Sequence, residues 1–232
     1  MDKLTNQLSN LTISNNYVID ECDIHDFMNE EQIDTLKQYV SLYISSRIDY
    51  YKDNNSNLRI ESEFGEYWIA KSTQGSIIGS GNTPMDVKHD EKYMDVACLC
   101  LNGSYTNEKS IVQNFAKAGN ELDIMFNTNQ EHDIVNCFIN IITNKWNEYS
   151  NSYYGFFIST KVSIYFKMFK INTSNLSNLE SGGFSTKGKS LTVNNFINPE
   201  QGKTIIYKSK KRMELRLSKN IVNNSILLFT DC

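Results

Sequence analysis

The chain has 232 residues, 40% of them apolar, and carries a net charge of −4. That length and apolar content bury a real core, which excludes a disordered chain and fits one globular domain. The opening MDKLTNQLSNLT lacks a basic segment followed by an apolar run, and no stretch approaches the ~18 apolar residues of a membrane span, so neither a signal peptide nor a membrane partner is expected.

Five cysteines, Cys22, Cys98, Cys100, Cys137 and Cys232, are odd in number and show no Cys-x-x-Cys spacing. Reduced thiols in a cytoplasmic setting follow, because a zinc site at Cys98 and Cys100 would need two further ligands that are not nearby. Charge is unevenly spread. Residues 1–150 hold 11 Lys+Arg against 23 Asp+Glu, and residues 151–232 hold 12 against 4. A basic last third on an acidic body points to a polyanion for one face.

In chain order, residues 1–30 are polar and acidic and read as an arm or short helix laid on the body. Asn29 or Asp34 caps a helix whose face is Leu36, Tyr39, Val40, Tyr43, Ile44 and Ile48. A second helix, Leu58 to about Thr73, places Ile60, Phe64, Tyr67 and Trp68 on one face and stops at Gly75. Glu63 flanks that face, and Glu66 points away from it.

Next comes the stretch that bears chemistry. GSIIGSGNTPMDVKHDEKYMDVACLCLNG reads as a Gly-Asn-rich approach, a strand near Met85–Lys88, a turn near His89–Glu91 and a buried strand Tyr93–Leu101. Asp86 and Asp95 thereby stand on the two arms of one hairpin, where a carboxylate pair can share one divalent cation. Metal-assisted phosphodiester hydrolysis needs such a pair. Thr106 or Asn107 then caps a helix with Glu108 in its first turn and Ile111, Val112, Phe115 and Ala118 on its face, ended by Gly119.

A long helix follows, from about Gln130 to Tyr149, with Ile134, Val135, Phe138, Ile141, Ile142 and Trp146 as core. The rest turns to strands: Tyr154–Ser159, Val162–Ile171, Thr204–Lys208, Met213–Leu217 and Ser225–Phe229, with a polar loop from Asn172 to Lys189. On a continuous strand, Lys208, Lys210, Arg212 and Arg216 would project from one face; Lys211 would not. Such a row suits phosphate neutralisation, and Lys187, Lys189, Lys203 and Lys219 extend it. Edge-strand lysines that guard against aggregation are the plainer alternative.

The helix bearing Glu63 in ESEFGEYWIAK, then Pro84-Met85-Asp86, a short turn and Asp95 on a buried strand, resembles the PD-(D/E)XK nuclease superfamily over about residues 58–118. TNEKSIVQNF and IIYKSKKRMELRL are similar, more loosely, to segments of type II restriction enzymes. The resemblance implies an α/β (α+β) fold with a restriction-endonuclease-like core, a mixed central sheet flanked by helices. It divides the chain into an arm (1–30), a helical and catalytic core (34–150) and a β-rich DNA-binding part (151–232).

It also implies magnesium bound by Asp86 and Asp95, a lysine that assists the attacking water, a contribution from Glu63, and a homodimer acting on double-stranded DNA gripped by Lys208, Lys210, Lys211, Arg212 and Arg216. The position two after Asp95, where the family has lysine, is Ala97. Lys88 is the first candidate to replace it and Lys71 the second; in another register, Asp86-Val87-Lys88 is itself the motif, with Glu63 as partner acid. Glu108 is an outlying candidate for a further acid. A non-catalytic DNA-binding protein is the alternative reading.

Overall fold

A computed structural model describes residues 16–79, 83–111 and 119–231. It is a mixed α+β arrangement in which a central sheet is flanked by helices. Five α-helices are described: α1 (Glu30–Ser45), α2 (Ile48–Asp53), α3 (Ser62–Thr73), α4 (Gly119–Asn127) and α5 (Glu131–Trp146). None is long and apolar enough to cross a membrane.

The central sheet is built around β4 (Lys92–Asn102). On one side β4 pairs antiparallel with β3 (Val87–His89), which pairs with β2 (Ser76–Ile77); on the other it pairs parallel with β7 (Ser152–Ser159). β7 is followed antiparallel by β8 (Ser163–Ile171), whose outer edge takes both β1 (Ile19–Glu21) and β13 (Ile226–Thr230). A parallel neighbour demands a crossover. Here α4 and α5 lie within the stretch between β4 and β7. The arm expected over residues 1–30 is, in its described part, a strand of this sheet and a turn of 3₁₀-helix over Ile24–Asp26.

The two faces of the sheet bury different sets of side chains. Met94 and Val96 of β4 join Tyr153 and Phe157 of β7 against Ile33, Leu36, Val40 and Ile44 of α1 and Trp68 and Ile69 of α3. Ala97 and Leu99, with Tyr154, Phe156 and Ile158, pack on the other face against Ile134, Val135, Phe138, Ile142 and Trp146 of α5. That second core continues into a smaller antiparallel sheet in the order β6 (Lys109–Ser110), β12 (Arg212–Leu217), β11 (Gly202–Tyr207), β10 (Ser190–Asn194) and β9 (Glu180–Phe184).

Several expectations are corrected. The helix expected from Thr106 is extended chain: β5 (Tyr105–Thr106) pairs with β4, and β6 pairs with β12. Asn107 does not cap a helix, because its side-chain oxygen accepts from Cys100 N–H (2.8 Å) while its own N–H donates to Cys100 O (2.9 Å), which carries the pairing onward. Gly119 opens α4 instead of ending a helix, and the rest of that expected face, 112–118, lies outside the described residues. The helix expected to start at Leu58 begins at Ser62. Leu58 and Ile60 are buried in extended chain, with Leu58 N–H bonded to Thr160 O.

The single helix expected through Ile48 is divided into α1 and α2. The polar loop expected from Asn172 to Lys189 holds a 3₁₀-helix (Thr173–Asn178) and strand β9, with its Leu176 and Leu179 buried; β10 follows directly, with Leu191 and Val193 buried. The basic run is no continuous strand. β11 ends at Tyr207, a turn takes Lys208–Lys211, and Lys211 adopts a left-handed φ of 50°.

The join between α3 and the hairpin tolerates little change. Gln74 ends the helix in the left-handed region (φ 56°), and Gly75 N–H returns to Ala70 O (2.8 Å). A Cβ on Gly75 would overlap the backbone oxygen of Lys88, which the β2–β3 ladder fixes. Gly75→Ala is expected to cost about 1–3 kcal/mol, read as a lower urea midpoint at unchanged m-value; an unaltered midpoint would show that the hairpin yields freely.

Candidate active site

β3 and β4 are in register Val87 with Met94 and Lys88 with Tyr93, so the next step outward sets Asp86 across from Asp95. Asp86 N–H still donates to Met94 O at 2.9 Å, and its side chain adds a further bond, Oδ2 accepting the Val96 N–H at 2.8 Å. Gly79 packs directly on this carboxylate, and a Cβ there would stand 2.9 Å from Asp86 Oδ1. Gly79 therefore lets the backbone close tightly over this carboxylate, where any larger side chain would collide with it.

Asp95 meets a cation that sequence reasoning did not find. Lys109 Nζ donates to Asp95 Oδ1 at 2.6 Å, and only 14% of the Lys109 side chain and 18% of that of Asp95 are exposed. β6 carries this lysine in from the second sheet, with Leu215 of β12 as its register partner. Behind the pair stands Tyr154, the β7 partner of Asp95; its ring is fully buried, 5.7 Å from Lys109 Nζ and 6.0 Å from the Trp146 ring. Pro84, Asp86, Asp95, Lys109, Lys145 and Trp146 line a recess of about 80 Å³ here. Lys145, in the last turn of α5, adds a second ammonium to its rim.

Electrostatics separates the two aspartates. Burial, then the charge of Asp95, raises Asp86 to about 7, with Glu66 adding to the effect and Val96 N–H and Lys109 opposing it. Burial and neighbouring acids act in the same direction, since each disfavours a further negative charge. Glu66 on α3 is itself raised, by burial first and then by Glu63 and Asp95. The Tyr154 hydroxyl is pushed far up by its burial and by the two aspartates.

Asp86 and Asp95 therefore come together as expected, and the other expected site residues stand apart from the recess. Lys88 Nζ lies 5.6 Å from the Tyr93 ring centroid, and Lys71 Nζ 5.4 Å from that of Tyr67. Glu63 lines a separate pocket with Arg59, Cys98, Cys100 and Asn107. The α3 acid whose charge reaches both aspartates is Glu66, one turn on. Glu108 bonds Arg216 Nη2 at 2.6 Å and Lys210 Nζ at 3.3 Å. No group of three metal-binding side chains converges among the described residues.

Most of the cations expected to grip DNA already have anionic partners. Lys210 (2.9 Å) and Arg212 (2.6 Å) hold Glu214, which is wholly buried; Arg216 holds Glu108, and Lys211 holds Asp123. Lys208 donates to the neutral Asn127 Oδ1. A hydrogen bond from its own backbone N–H, with help from Lys210 and Arg216, keeps the Glu108 carboxyl below its ordinary range. Compared with family models, curated proteins and solved structures, the chain shows no significant match.

The pH behaviour of Asp86 is testable in EDTA. An unfolded aspartate releases its proton near pH 4, whereas folded Asp86 keeps it to about 7. Between those values the native state binds more protons than the unfolded state, so this residue's effect is to lower stability as pH rises. Asp86→Asn removes that liability while an amide oxygen still accepts from Val96. Its Tm advantage over the parent chain is expected to be absent below about pH 4, to grow up to about pH 7 and to stay level above. A gap that widens towards acid would contradict the assignment.

Proposed function

We propose that the chain is a magnesium-dependent endonuclease of the type II restriction class, hydrolysing phosphodiester bonds of double-stranded DNA on a core of PD-(D/E)XK type. The observation that carries this reading is the adjacency of Asp86 and Asp95 on antiparallel strands, with Lys109 bonded to Asp95. The order of elements supports it too: an acid-bearing helix (α3), a hairpin with both aspartates, then helix α5 and a strand, β7, returning parallel to β4.

The residues fit the metal. Magnesium is held by one or two carboxylates and completes its shell with water and phosphate oxygens, so two aspartates suffice. The raised Asp86 is what a cation between like charges would relieve, and the recess that both aspartates line is where it would sit. When bound, magnesium would polarise a phosphate oxygen and acidify a coordinated water. The protein's own groups act around that chemistry. Lys109 takes the part expected of the motif lysine, offering N–H donors to the phosphate and the attacking water. Tyr154 and Trp146 keep bulk water from behind the site, which strengthens every charge interaction in it. Glu66 takes the place first given to Glu63, and Lys145 draws the phosphate backbone to the rim.

A homodimer reading a palindrome belongs to this proposal, since two-fold protein symmetry imposes a two-fold site. One observation favours a non-catalytic DNA binder: Ala97 stands at the motif lysine's usual place, and Lys109 already neutralises Asp95.

Incubation with unmethylated, mixed-sequence DNA at low salt is expected to yield discrete fragments with magnesium and none with EDTA. Asp86→Ala, Asp95→Ala and Lys109→Ala should each lower the cleavage rate by at least about 10²–10³-fold, and Lys88→Ala by no more than about 3-fold, since only the first three line the recess. Full cleavage by Asp86→Ala would sink the reading. Loss with Lys88→Ala but not with Lys109→Ala would return the lysine's role to Lys88. Binding without any fragments would establish the non-catalytic alternative.

A further inference from the structure

Two hairpin turns meet at one end of the second sheet and bring five lysines together. The β9–β10 turn carries Lys187 and Lys189; the β11–β12 turn carries Lys208, Lys210 and Lys211. Ser190 and Tyr207 are the last register pair of β10 and β11, and just beyond it Lys208 N–H donates to Lys189 O at 3.0 Å. Lys189 and Lys208 thus stand opposite each other on adjacent strands, a like-charge pair that is destabilising by itself.

The first turn is tightly built. Gly188 holds φ 61° and bonds back to Ser185 O at 2.8 Å, while Ser185 Oγ accepts from both Lys189 N–H and Ser190 N–H at 3.3 Å. Lys210 is neutralised by Glu214 and Glu108, and Lys211 by Asp123, but Lys187, Lys189 and Lys208 meet no carboxylate among the described residues. Lys187 and Lys189 are exposed.

We infer that these two turns, and not the basic strand, form the surface that holds the nucleic-acid backbone, with Lys187, Lys189 and Lys208 as its phosphate contacts. This rests on the reading of DNA as partner. Charge complementarity selects the occupant: three uncompensated ammonium groups on a rigid frame match consecutive phosphates, and an anion between Lys189 and Lys208 relieves their repulsion. The turns also lie within reach of the recess. Lys211 is four residues along β12 from Leu215, the partner of Lys109, or about 13 Å at ~3.3 Å per residue. At ~3.4 Å per nucleotide that is about four phosphates along one strand.

The test is the salt dependence of binding to a mixed-sequence DNA duplex, followed by anisotropy in EDTA so that cleavage plays no part. The triple variant Lys187→Gln, Lys189→Gln, Lys208→Gln is expected to make the slope of log K against log salt shallower by about 3, at roughly 0.9 per phosphate lost. The control triple Lys52→Gln, Lys71→Gln, Lys161→Gln removes the same charge elsewhere and should leave the slope unchanged. Equal slopes for the parent chain and the turn variant, or an equal loss in the control, would overturn the assignment. A parent chain that binds phosphatidylserine vesicles but no DNA would overturn it together with the DNA reading. Turn-dependent binding without magnesium-dependent fragments upholds this surface and fails the nuclease reading alone.

Discussion

An ion pair between two sheets governs the architecture of the site. Asp95 sits largely enclosed on a strand paired on both edges, where an unpaired carboxylate would be costly, and Lys109 reaches it from a strand of only two residues. That short strand is held by β12, so the second sheet is part of the site and not an appendage to it. Because Lys109 is committed to Asp95, it gives Asp86 little relief. Asp86 faces burial and two other acids with a single backbone donor for support, and its raised proton affinity follows. The asymmetry between two adjacent aspartates is thus a consequence of where one lysine enters.

The central sheet sets the rest of the geometry. β4 is gripped on both edges, antiparallel by β3 and parallel by β7, which leaves Asp95 no freedom to swing out of the sheet. The parallel partner supplies Tyr154 as the next side chain on the same face, and the crossover supplies Trp146 behind it. On the opposite face, α3 is tied to the hairpin through Gly75, and that join places Glu66 where its charge reaches both aspartates. Removing charges from water in this way makes each remaining one act over a longer range.

Local pattern made part of this legible. The β3–β4 hairpin could be read because its turn residues separate two apolar strands, and with it the placement of Asp86 near Asp95. The α5 helix could be read because Ile134, Val135, Phe138, Ile142 and Trp146 recur at helical spacing. Lys109 could not, since it lies fourteen residues from Asp95 and owes its position to pairing with Leu215 more than a hundred residues later. The same long-range pairing overrode a sound capping signal at Asn107. Glu66 was misplaced because helical spacing ranks residues against the apolar face of α3, whereas the aspartates lie beyond the edge of that face. Parity along Lys208–Arg216 failed where Lys211 turns left-handed, a conformation that the residue type does not announce.

Charge placement matters more than the net value of −4. A polyanion responds to the field near its own surface, and that field falls away over roughly a Debye length of about 8–10 Å. In the basic third, Glu108, Glu214 and Asp123 pair with the cations of the β12 strand and with two of the three lysines of the turn beside it, which fixes those side chains as structure. Among the lysines left without a carboxylate, Lys187, Lys189 and Lys208 stand together at the paired turns, while the acidic residues of the body discourage contact elsewhere. On the proposed reading, such a division favours one docking orientation over general adhesion: a phosphate backbone seated on the turns is steered past Lys145 towards the aspartates, whose own repulsion for phosphate makes a bound cation a condition of entry.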